Sequence, residues 1–146
     1  MVGNIYLQCS ADRDSRNSRE EYGSRYLPEL LLERRQNIVI GGDWNLIILQ
    51  SDCTHYPDQK ISPSMAMMVS TFSLLDSFKT MCPADTTTKS HYYDSPLPGE
   101  THIDQAYHKR LTFSNFMYVS IGGLSDHCSL ICSYKLPQVC QKVLMP

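Results

Sequence analysis

The sequence lacks long apolar runs, and this absence limits the class of protein. No stretch of the 146 residues approaches the roughly 20 consecutive apolar residues that a transmembrane helix needs. The start, Met1-Val2-Gly3-Asn4, has no basic segment followed by an apolar core, so we expect no signal peptide. Hydrophobic and charged residues make up 42% and 19% of the chain, as in an ordinary globular domain. We therefore expect an intracellular protein without a membrane partner.

A basic excess and a metal-binding cysteine spacing are also missing. The net charge is −2 and the isoelectric point is 6.2, so phosphate contacts must be local or come from another part of a longer protein. The six cysteines form no Cys-x-x-Cys pair and have no Cys/His metal spacing. This pattern favours buried free thiols in a reducing compartment.

Two clusters of polar residues are present, and each adjoins a β-prone stretch. Gly41-Gly42-Asp43-Trp44-Asn45 follows the strand-like residues 37–40, and Ser125-Asp126-His127 precedes the strand-like residues 129–132. Active sites of α/β proteins are commonly built from polar residues in loops at strand ends. The two clusters therefore predict one site, with a chemistry that uses acid, amide and imidazole groups.

The rest of the pattern predicts a layered α/β fold. A helix is expected to begin at Ser18, because Glu21 completes a capping box, and to kink or restart near Leu27, because Pro28 follows. A second helix carries methionines on one face, which favours core filling. The strand candidates are residues 2–7, 37–40, 86–93, 101–107, 116–120 and 129–134. We expect one domain over residues 1–136 and a loose tail over 137–146.

Five motifs in this order resemble the endonuclease/exonuclease/phosphatase superfamily, and most of all the endonuclease domain of arthropod non-LTR retrotransposons. The motifs are Asn4-Ile5-Tyr6, Gly42-Asp43-Trp44-Asn45, Leu75-Asp76-Ser77-Phe78-Lys79, Thr101-His102-Ile103-Asp104 and Ser125-Asp126-His127. One departure is His102, where the family has arginine. The resemblance covers only the C-terminal part of the family's domain. It implies a partial four-layer α/β sandwich, with mixed sheets flanked by helices and the N-terminal half of the fold missing.

The resemblance also implies roles for individual residues in phosphodiester hydrolysis. Asp43 would orient and deprotonate the attacking water, and Asn45 would donate a hydrogen bond to a phosphate oxygen. His127 would contact the scissile phosphate, with Asp104 fixing its tautomer. The hydroxyl of Tyr6 would bind the phosphate.

The metal in the family's reaction would be held by Asp126. The implied cofactor is Mg²⁺, which prefers oxygen ligands, with Mn²⁺ as an alternative.

Structural explanations exist for the same residues. Asp43 and Asn45 could form a turn, His127 and Asp104 a structural pair, and Tyr6 could be a core tyrosine. Asp76 is expected to hold a loop through backbone hydrogen bonds. No cluster of chemical groups surrounds His55, His91 and His108, which favours surface positions for them.

The function implied by the resemblance is a fragment of a metal-dependent DNA endonuclease that nicks DNA for retrotransposition. The expected partners are DNA and a reverse transcriptase domain in a longer polypeptide. When the protein acts on DNA, we expect it to be in the nucleus. We expect weak or no activity from this chain alone, because the family's metal-binding glutamate has no counterpart here. The alternatives are an inositol-phosphate-type phosphatase and a non-catalytic remnant of a mobile element.

Overall fold

The structure is a computed structural model, and its main sheet is mixed and has four strands. This sheet is called the central sheet below. The residues that the structure describes are 1–7, 12–33, 37–54, 61–85, 88–93, 99–120, 122 and 124–135. The tail 137–146, His55, Cys9 and Cys140 lie outside this part of the chain, so the domain boundary at residue 136 stays a prediction.

The described residues form eight strands and four α-helices, which confirms the predicted α/β class. The strands are β1 (Val2–Tyr6), β2 (Ile38–Asp43), β3 (Leu75–Asp76), β4 (His91–Tyr93), β5 (Gly99–Thr101), β6 (Asp104–Lys109), β7 (Thr112–Ser120) and β8 (Cys128–Lys135). The helices are α1 (Arg13–Glu21), α2 (Leu27–Glu33), α3 (Pro63–Thr71) and α4 (Ser77–Met81), with a π-helical turn at Tyr22–Tyr26 and a 3₁₀ turn at Gln50–Asp52. Within these ranges, no helix has the length and apolar character that crossing a membrane requires.

Helices cover one face of the central sheet, whose strand order is β1-β2-β6-β3. Ile5 of β1 and Ile38 and Ile40 of β2 are buried in one apolar cluster with Leu27 of α2 and Met65 of α3. Side chains of a strand alternate between its two faces, so this cluster takes every second residue of β1 and β2. The intervening residues are left for the other face, where the polar motifs lie.

Helix α1 begins earlier than the capping box predicts. It starts at Arg13, and the carboxylate of Asp12 accepts hydrogen bonds from the backbone N–H of Ser15 at 2.8 Å and from its hydroxyl at 2.9 Å. The predicted start at Ser18 is therefore wrong. Asp12 is itself a favoured N-cap, and Ser18 falls inside the helix, where backbone N–H groups already have partners.

Pro28 changes the helix as expected. The chain passes through the π-helical turn at Tyr22–Tyr26, and regular α-helix resumes at Leu27. Proline has no backbone N–H and its ring crowds the preceding turn, so the hydrogen-bond register shifts ahead of it. The restart near Leu27 is therefore confirmed, and it turns Leu27 and Leu31 into the core.

The methionine-rich helix α3 fills the core. Ser62 caps it by accepting a hydrogen bond from the N–H of Met65, and Pro63 occupies its first turn, where a missing N–H costs nothing. Met65 and Met68 are 0% and 2% exposed. A Cβ atom added at Gly23 would lie 2.6 Å from the sulfur of Met65, so α3 and the π-helical turn are in close contact.

The other face of the central sheet is turned toward β8. Strands β7 and β8 form an antiparallel pair, and a cleft of about 510 Å³ lies between β8 and the central sheet. Residues from both sides line the cleft, including Asp43 and Asp104 from the central sheet and Leu130 and Tyr134 from β8. Helices, sheet and second sheet thus form successive layers, as in part of the predicted sandwich.

Strand β1 forms an exposed edge of this sheet. Within the described ranges it pairs with β2 alone, and its side chains Val2 and Tyr6 are 85% and 74% exposed. An apolar side chain on an unpaired edge is a potential contact site for another strand.

The four described cysteines are free, as expected, but only two are buried. Cys53 and Cys128 are buried, Cys132 is half-buried, and Cys82 is exposed. Cys82 follows the short helix α4 at the surface, so the expectation of burial is wrong for this residue.

Candidate active site

Three of the predicted site residues lie side by side across the central sheet. Tyr6 is the partner of Asp43 in the parallel ladder of β1 and β2, and Asp43 is the partner of Asp104 in the antiparallel ladder of β2 and β6. Residues that pair directly across strands share a face of the sheet. The two carboxylates therefore stand at the cleft, and Tyr6, which is 74% exposed, is not a core tyrosine.

Gly42 is the reason that β1 can approach Asp43 so closely. Its φ angle is +140°, and an added Cβ would lie 2.0 Å from the carbonyl oxygen of Ile5 and 2.7 Å from Oδ1 of Asn4. Only glycine adopts this backbone geometry and leaves room for the neighbouring strand. Strand β2 thereby extends through both glycines to Asp43, beyond its predicted end at residue 40.

Asn45 binds directly to Asp43. The carboxylate of Asp43 accepts the backbone N–H of Asn45 at 3.0 Å and its side-chain amide at 2.8 Å, and the same amide nitrogen donates to the carbonyl of Leu7 at 2.7 Å. Asn45 has a φ angle of +48°, in the left-handed region that asparagine tolerates better than most residues. Since both amide hydrogens are engaged, this arrangement lets Asn45 position Asp43. A phosphate contact from this amide would require one of these bonds to open.

His127 contacts Asp104, one of the residues that line the cleft. Its Nδ1 lies 2.9 Å from Oδ2 of Asp104. Burial raises the pKa of Asp104 above its ordinary value of 3.8, and the hydrogen bond to His127 offsets part of that rise. The carboxylate fixes the ring orientation and, by taking Nδ1, leaves Nε2 for another partner. The two far-separated polar motifs of the sequence therefore meet in one place.

Asp126 and His91 form the outer part of the site. The side chain of Asp126 is 66% exposed, and its Oδ2 lies 3.4 Å from Nε2 of His91. His91 itself is 14% exposed and contacts the ring of His127, so the prediction of a surface position is wrong for it. It is wrong for His108 too, which is 2% exposed and lies 3.0 Å from the hydroxyl of Ser77 through Nδ1.

Two residues that sequence reasoning missed, buried Ser90 and half-buried Tyr118, support Asp104. The hydroxyl of Ser90 accepts the backbone N–H groups of Ile103 and Asp104 at 3.0 and 2.9 Å, and the hydroxyl of Tyr118 donates to the carbonyl of Asp104 at 2.8 Å. Ser90 precedes a strand and Tyr118 lies within one, and neither belongs to a motif. Their role depends on contacts between distant strands, so no local signal marked them.

Asp76 has the structural role that its position in the sequence suggests. Its Oδ1 accepts the backbone N–H of Lys79 at 3.0 Å and so caps helix α4. Burial raises the pKa of Asp76, and the bond to Lys79 opposes that rise.

His102, the residue that departs from the family pattern, is a buried neutral base. It is 2% exposed, stacks at a tilt on Phe78 with ring centroids 5.1 Å apart, and lies 3.3 Å from the hydroxyl of Tyr118. Burial lowers its pKa from 6.5 to about 4, although Asp52 opposes the shift. A buried imidazole without full solvation keeps its neutral form.

This burial predicts a loss of stability in mild acid. Between about pH 6.5 and pH 4 the unfolded chain binds a proton at His102 and the folded chain does not, so the free energy of unfolding falls as pH falls. At 1.36 kcal/mol per pKa unit, the loss at pH 4 is on the order of 3 kcal/mol. Urea unfolding at several pH values measures it.

The matched control for this prediction is His102→Gln, which can keep a hydrogen bond to Tyr118 but has no charge to gain. Its unfolding free energy should fall less steeply over the same pH range. His108, whose pKa burial also lowers, contributes in both proteins and cancels in the difference. Identical slopes in the two proteins would contradict the assignment to His102.

Two groups of side chains in the described part of the chain could hold a metal ion. Asp43, Asp104 and His127 form one, and His91, Asp126 and His127 form the other, with the ligand atoms of each group within 4.8 Å of one another. The first offers two carboxylates and the second only one. Both share His127, so the site couples acid, base and metal-ligand chemistry in one small volume.

Solved structures with the endonuclease/exonuclease/phosphatase fold share this layered arrangement. A similar fold occurs in an AP endonuclease from Archaeoglobus fulgidus, at a TM-score of 0.71 and 16% identity over 92% of this chain and 62% of that one. The 3′-5′ exonuclease NExo from Neisseria meningitidis matches at a TM-score of 0.71 and 16% identity, over 91% of this chain and 60% of that one. The human Nocturnin catalytic domain matches at 0.56 and 13% identity, over 92% and 47%.

These similarities concern the fold, because all three identities are low. The chain spans about 60% of the length of the first two structures. Comparison of the sequence with protein-family models and with curated proteins gave no match. The partial α/β sandwich expected from the motifs is therefore confirmed, and the roles of the individual residues are proposals.

Proposed function

We propose that this chain is part of a metal-dependent phosphodiesterase that nicks DNA, of the kind that retrotransposons use. The observation that carries the proposal is the meeting of Asp43, Asp104 and His127, whose two carboxylates belong to residues that line one cleft. Two of the proteins with this fold are an AP endonuclease and a 3′-5′ exonuclease, and one structure of NExo is bound to a product DNA hairpin. The wider proposal includes a reverse transcriptase domain in a longer polypeptide and action on DNA in the nucleus.

Asp43 is the base in this proposal. Hydrolysis needs a carboxylate that is held still and accepts a proton from the attacking water. Two bonds from Asn45 fix the Asp43 carboxylate, and a carboxylate has about four lone-pair positions, so acceptor capacity is left for a water molecule. Asn45 therefore acts through Asp43, as a positioning residue.

His127 and Tyr6 are the contacts to phosphate. With Nδ1 donating to Asp104, the imidazolium form of His127 presents Nε2–H to a phosphoryl oxygen. The exposed Tyr6, two strands away from Asp104, can donate its hydroxyl to the same group. Hydrogen-bond donors placed where negative charge develops contribute the most to such reactions.

The residues present fit a hard divalent cation. Mg²⁺ is commonly bound by one or two carboxylates, several waters and the substrate phosphate, and Asp126, Asp43 and Asp104 supply carboxylates at the site. When bound, the cation would neutralise charge on the phosphoryl oxygens. The described residues that line the cleft include no Lys or Arg, so positive charge is otherwise scarce there. This scarcity is a further reason to expect slow nicking by the 146 residues alone.

A plasmid-nicking assay under enzyme excess tests the proposal. The purified chain is incubated with supercoiled DNA in Mg²⁺ or Mn²⁺, and Asp43→Asn is compared with Asp14→Asn, an exposed carboxylate in the first turn of α1. We expect slow, cation-dependent nicking that Asp43→Asn lowers by at least about 100-fold, in line with the loss of a general base. Asp14→Asn should keep the wild-type rate.

Each other outcome has a definite meaning. Robust nicking that Asp43→Asn abolishes supports the site and contradicts the expectation of weak activity. Nicking that persists in Asp43→Asn contradicts the proposal. Release of phosphate from inositol phosphates without DNA cleavage favours a phosphatase, and absence of both reactions together with no saturable binding of Mg²⁺ by calorimetry favours a non-catalytic remnant.

A further inference from the structure

The imidazoles of His91 and His127 face each other as a cross-strand pair. The two residues form an antiparallel bridge, and a backbone bond of 2.9 Å from Tyr92 N–H to the carbonyl of Asp126 lies beside it. A matching bond of 2.7 Å, from the N–H of Cys128 to the carbonyl of Ser90, lies on the other side. Bonds that flank a pair in this way mark the position where opposing side chains come closest. The ring centroids are accordingly only 4.5 Å apart.

Asp126 completes a set of three donors around this pair. One ligand atom from each of His91, Asp126 and His127 lies within 4.8 Å of the others, and Nε2 of His91 is 3.4 Å from Oδ2 of Asp126. Ligands about 2.0–2.2 Å from a tetrahedral zinc ion are separated from one another by about 3.4 Å. The observed spacing matches that of two adjacent zinc ligands.

Both rings are already oriented as they are in metal sites. Nδ1 of His91 lies 3.1 Å from the hydroxyl of Thr101, and Nδ1 of His127 lies 2.9 Å from the carboxylate of Asp104. A metal-binding histidine almost always donates its second ring N–H to such a partner, which fixes the tautomer and makes the other nitrogen a better ligand. Nε2 is therefore the nitrogen that each ring would offer to a metal ion. Asp126, which is 66% exposed, leaves the group open to ions from solvent.

We propose that His91, Asp126 and His127 bind a borderline transition metal ion, Zn²⁺ above all, with water in the fourth position. Two nitrogens and one oxygen suit Zn²⁺, whereas Mg²⁺ prefers an all-oxygen set. His91 is the residue that makes the difference, because without it the group is one acid and one imidazole. Bound Zn²⁺ uses Nε2 of His127, so it competes with a phosphate contact from that atom. The binding itself does not depend on the proposed nuclease function.

Calorimetric titration of the reduced protein with Zn²⁺ alone tests the proposal. We expect one saturable site per chain at neutral pH, weakened at least about 100-fold in His91→Phe, which keeps a ring of similar size in the strand. Asp126→Asn, at an exposed position, is expected to fold normally and to weaken binding about 10-fold or more. The matched control Asp14→Asn should bind Zn²⁺ like the wild type.

Cysteine is the competing ligand that the experiment must separate. Cys128 directly follows His127, so Co²⁺ is used as a spectroscopic probe in the wild type and in Cys128→Ser. The proposal expects Co²⁺ absorption in the visible range without thiolate charge-transfer bands, unchanged in Cys128→Ser. Absence of a saturable Zn²⁺ site, full binding in His91→Phe or Asp126→Asn, or thiolate bands that Cys128→Ser removes would each overturn it. Zinc binding with no DNA nicking would leave this inference standing while the proposed function failed.

Discussion

Gly42→Ala is expected to lower the free energy of unfolding severely, and with it the urea concentration at which half of the protein is unfolded. The new Cβ would lie 2.0 Å from the carbonyl oxygen of Ile5, in a backbone with a φ angle of +140°. This oxygen is a backbone atom of a paired strand, so it cannot move without breaking the ladder of β1 and β2. We expect a loss above about 4 kcal/mol, the range reserved for severe backbone and packing conflicts. Circular dichroism with urea titration measures it.

Substitutions at two other glycines distinguish the two causes of this effect, the crowding of the new Cβ atom and the backbone angle. At Gly41 a Cβ would meet its nearest neighbour at 3.3 Å, and its φ angle is ordinary, so Gly41→Ala tests crowding alone. At Gly122 nothing lies within 4 Å but φ is +36°, so Gly122→Ala tests the backbone angle alone and should cost about 1–2 kcal/mol.

The prediction fails if Gly42→Ala unfolds at a urea concentration close to that of the Gly122→Ala protein. Such an outcome would mean that β1 does not approach β2 as closely as the structure shows. The same displacement would move Tyr6 away from Asp43, since the two residues are register partners.

Trp44→Ala is expected to lower the free energy of unfolding by about 3–5 kcal/mol, the usual cost of removing a buried large aromatic side chain. Trp44 is 0% exposed and stands edge-on to Tyr107, with ring centroids 5.5 Å apart. Its indole N–H donates to the carbonyl of Gln105 at 3.0 Å. It therefore anchors the chain between Asp43 and Asn45 to the core and to β6.

Trp44→Phe isolates the hydrogen bond from the packing. The phenyl ring keeps most of the aromatic contact, but the buried carbonyl of Gln105 loses its indole donor, which costs about 1–3 kcal/mol. Tyr26→Ala, at a position 49% exposed, is the surface control and should change stability by less than about 1 kcal/mol. Chemical denaturation followed by circular dichroism compares the three. Equal losses for Trp44→Ala and Tyr26→Ala would contradict the burial of Trp44.

Local sequence was enough to place most elements and to nominate the site. The β-prone stretch at residues 37–40, the methionine spacing of Met65 and Met68, and Pro28 each act within a few residues, so they are readable from sequence. Errors arose where two local signals compete. Asp12 and Ser18 are both good helix caps, and only the contacts of the first turn, such as buried Ser15, select Asp12.

The residues of the site could be predicted only where they belong to a motif. Asp43, Asn45, Asp104, Asp126, His127 and Tyr6 were nominated from their motifs. The structure brings Asp43, Asp104 and His127 into one group, and it brings Asp126 and His127 into a second group with His91. The residues that orient them, Ser90 and Tyr118, carry no motif. His91 and His108 were placed at the surface because an isolated histidine gives no sign of what will pack against it.

By itself the sequence determined which residues could carry acid, base and metal chemistry, and the strands at whose ends they would stand. Only the tertiary structure decided that His91 opposes His127, that His102 is buried and neutral, and that Asp43 pairs with Asp104. The physical reason is the separation along the chain between the residues that interact. Strand alternation and capping depend on neighbours along the chain, whereas register between strands and burial depend on contacts across tens of residues. Those contacts are fixed by the whole core together.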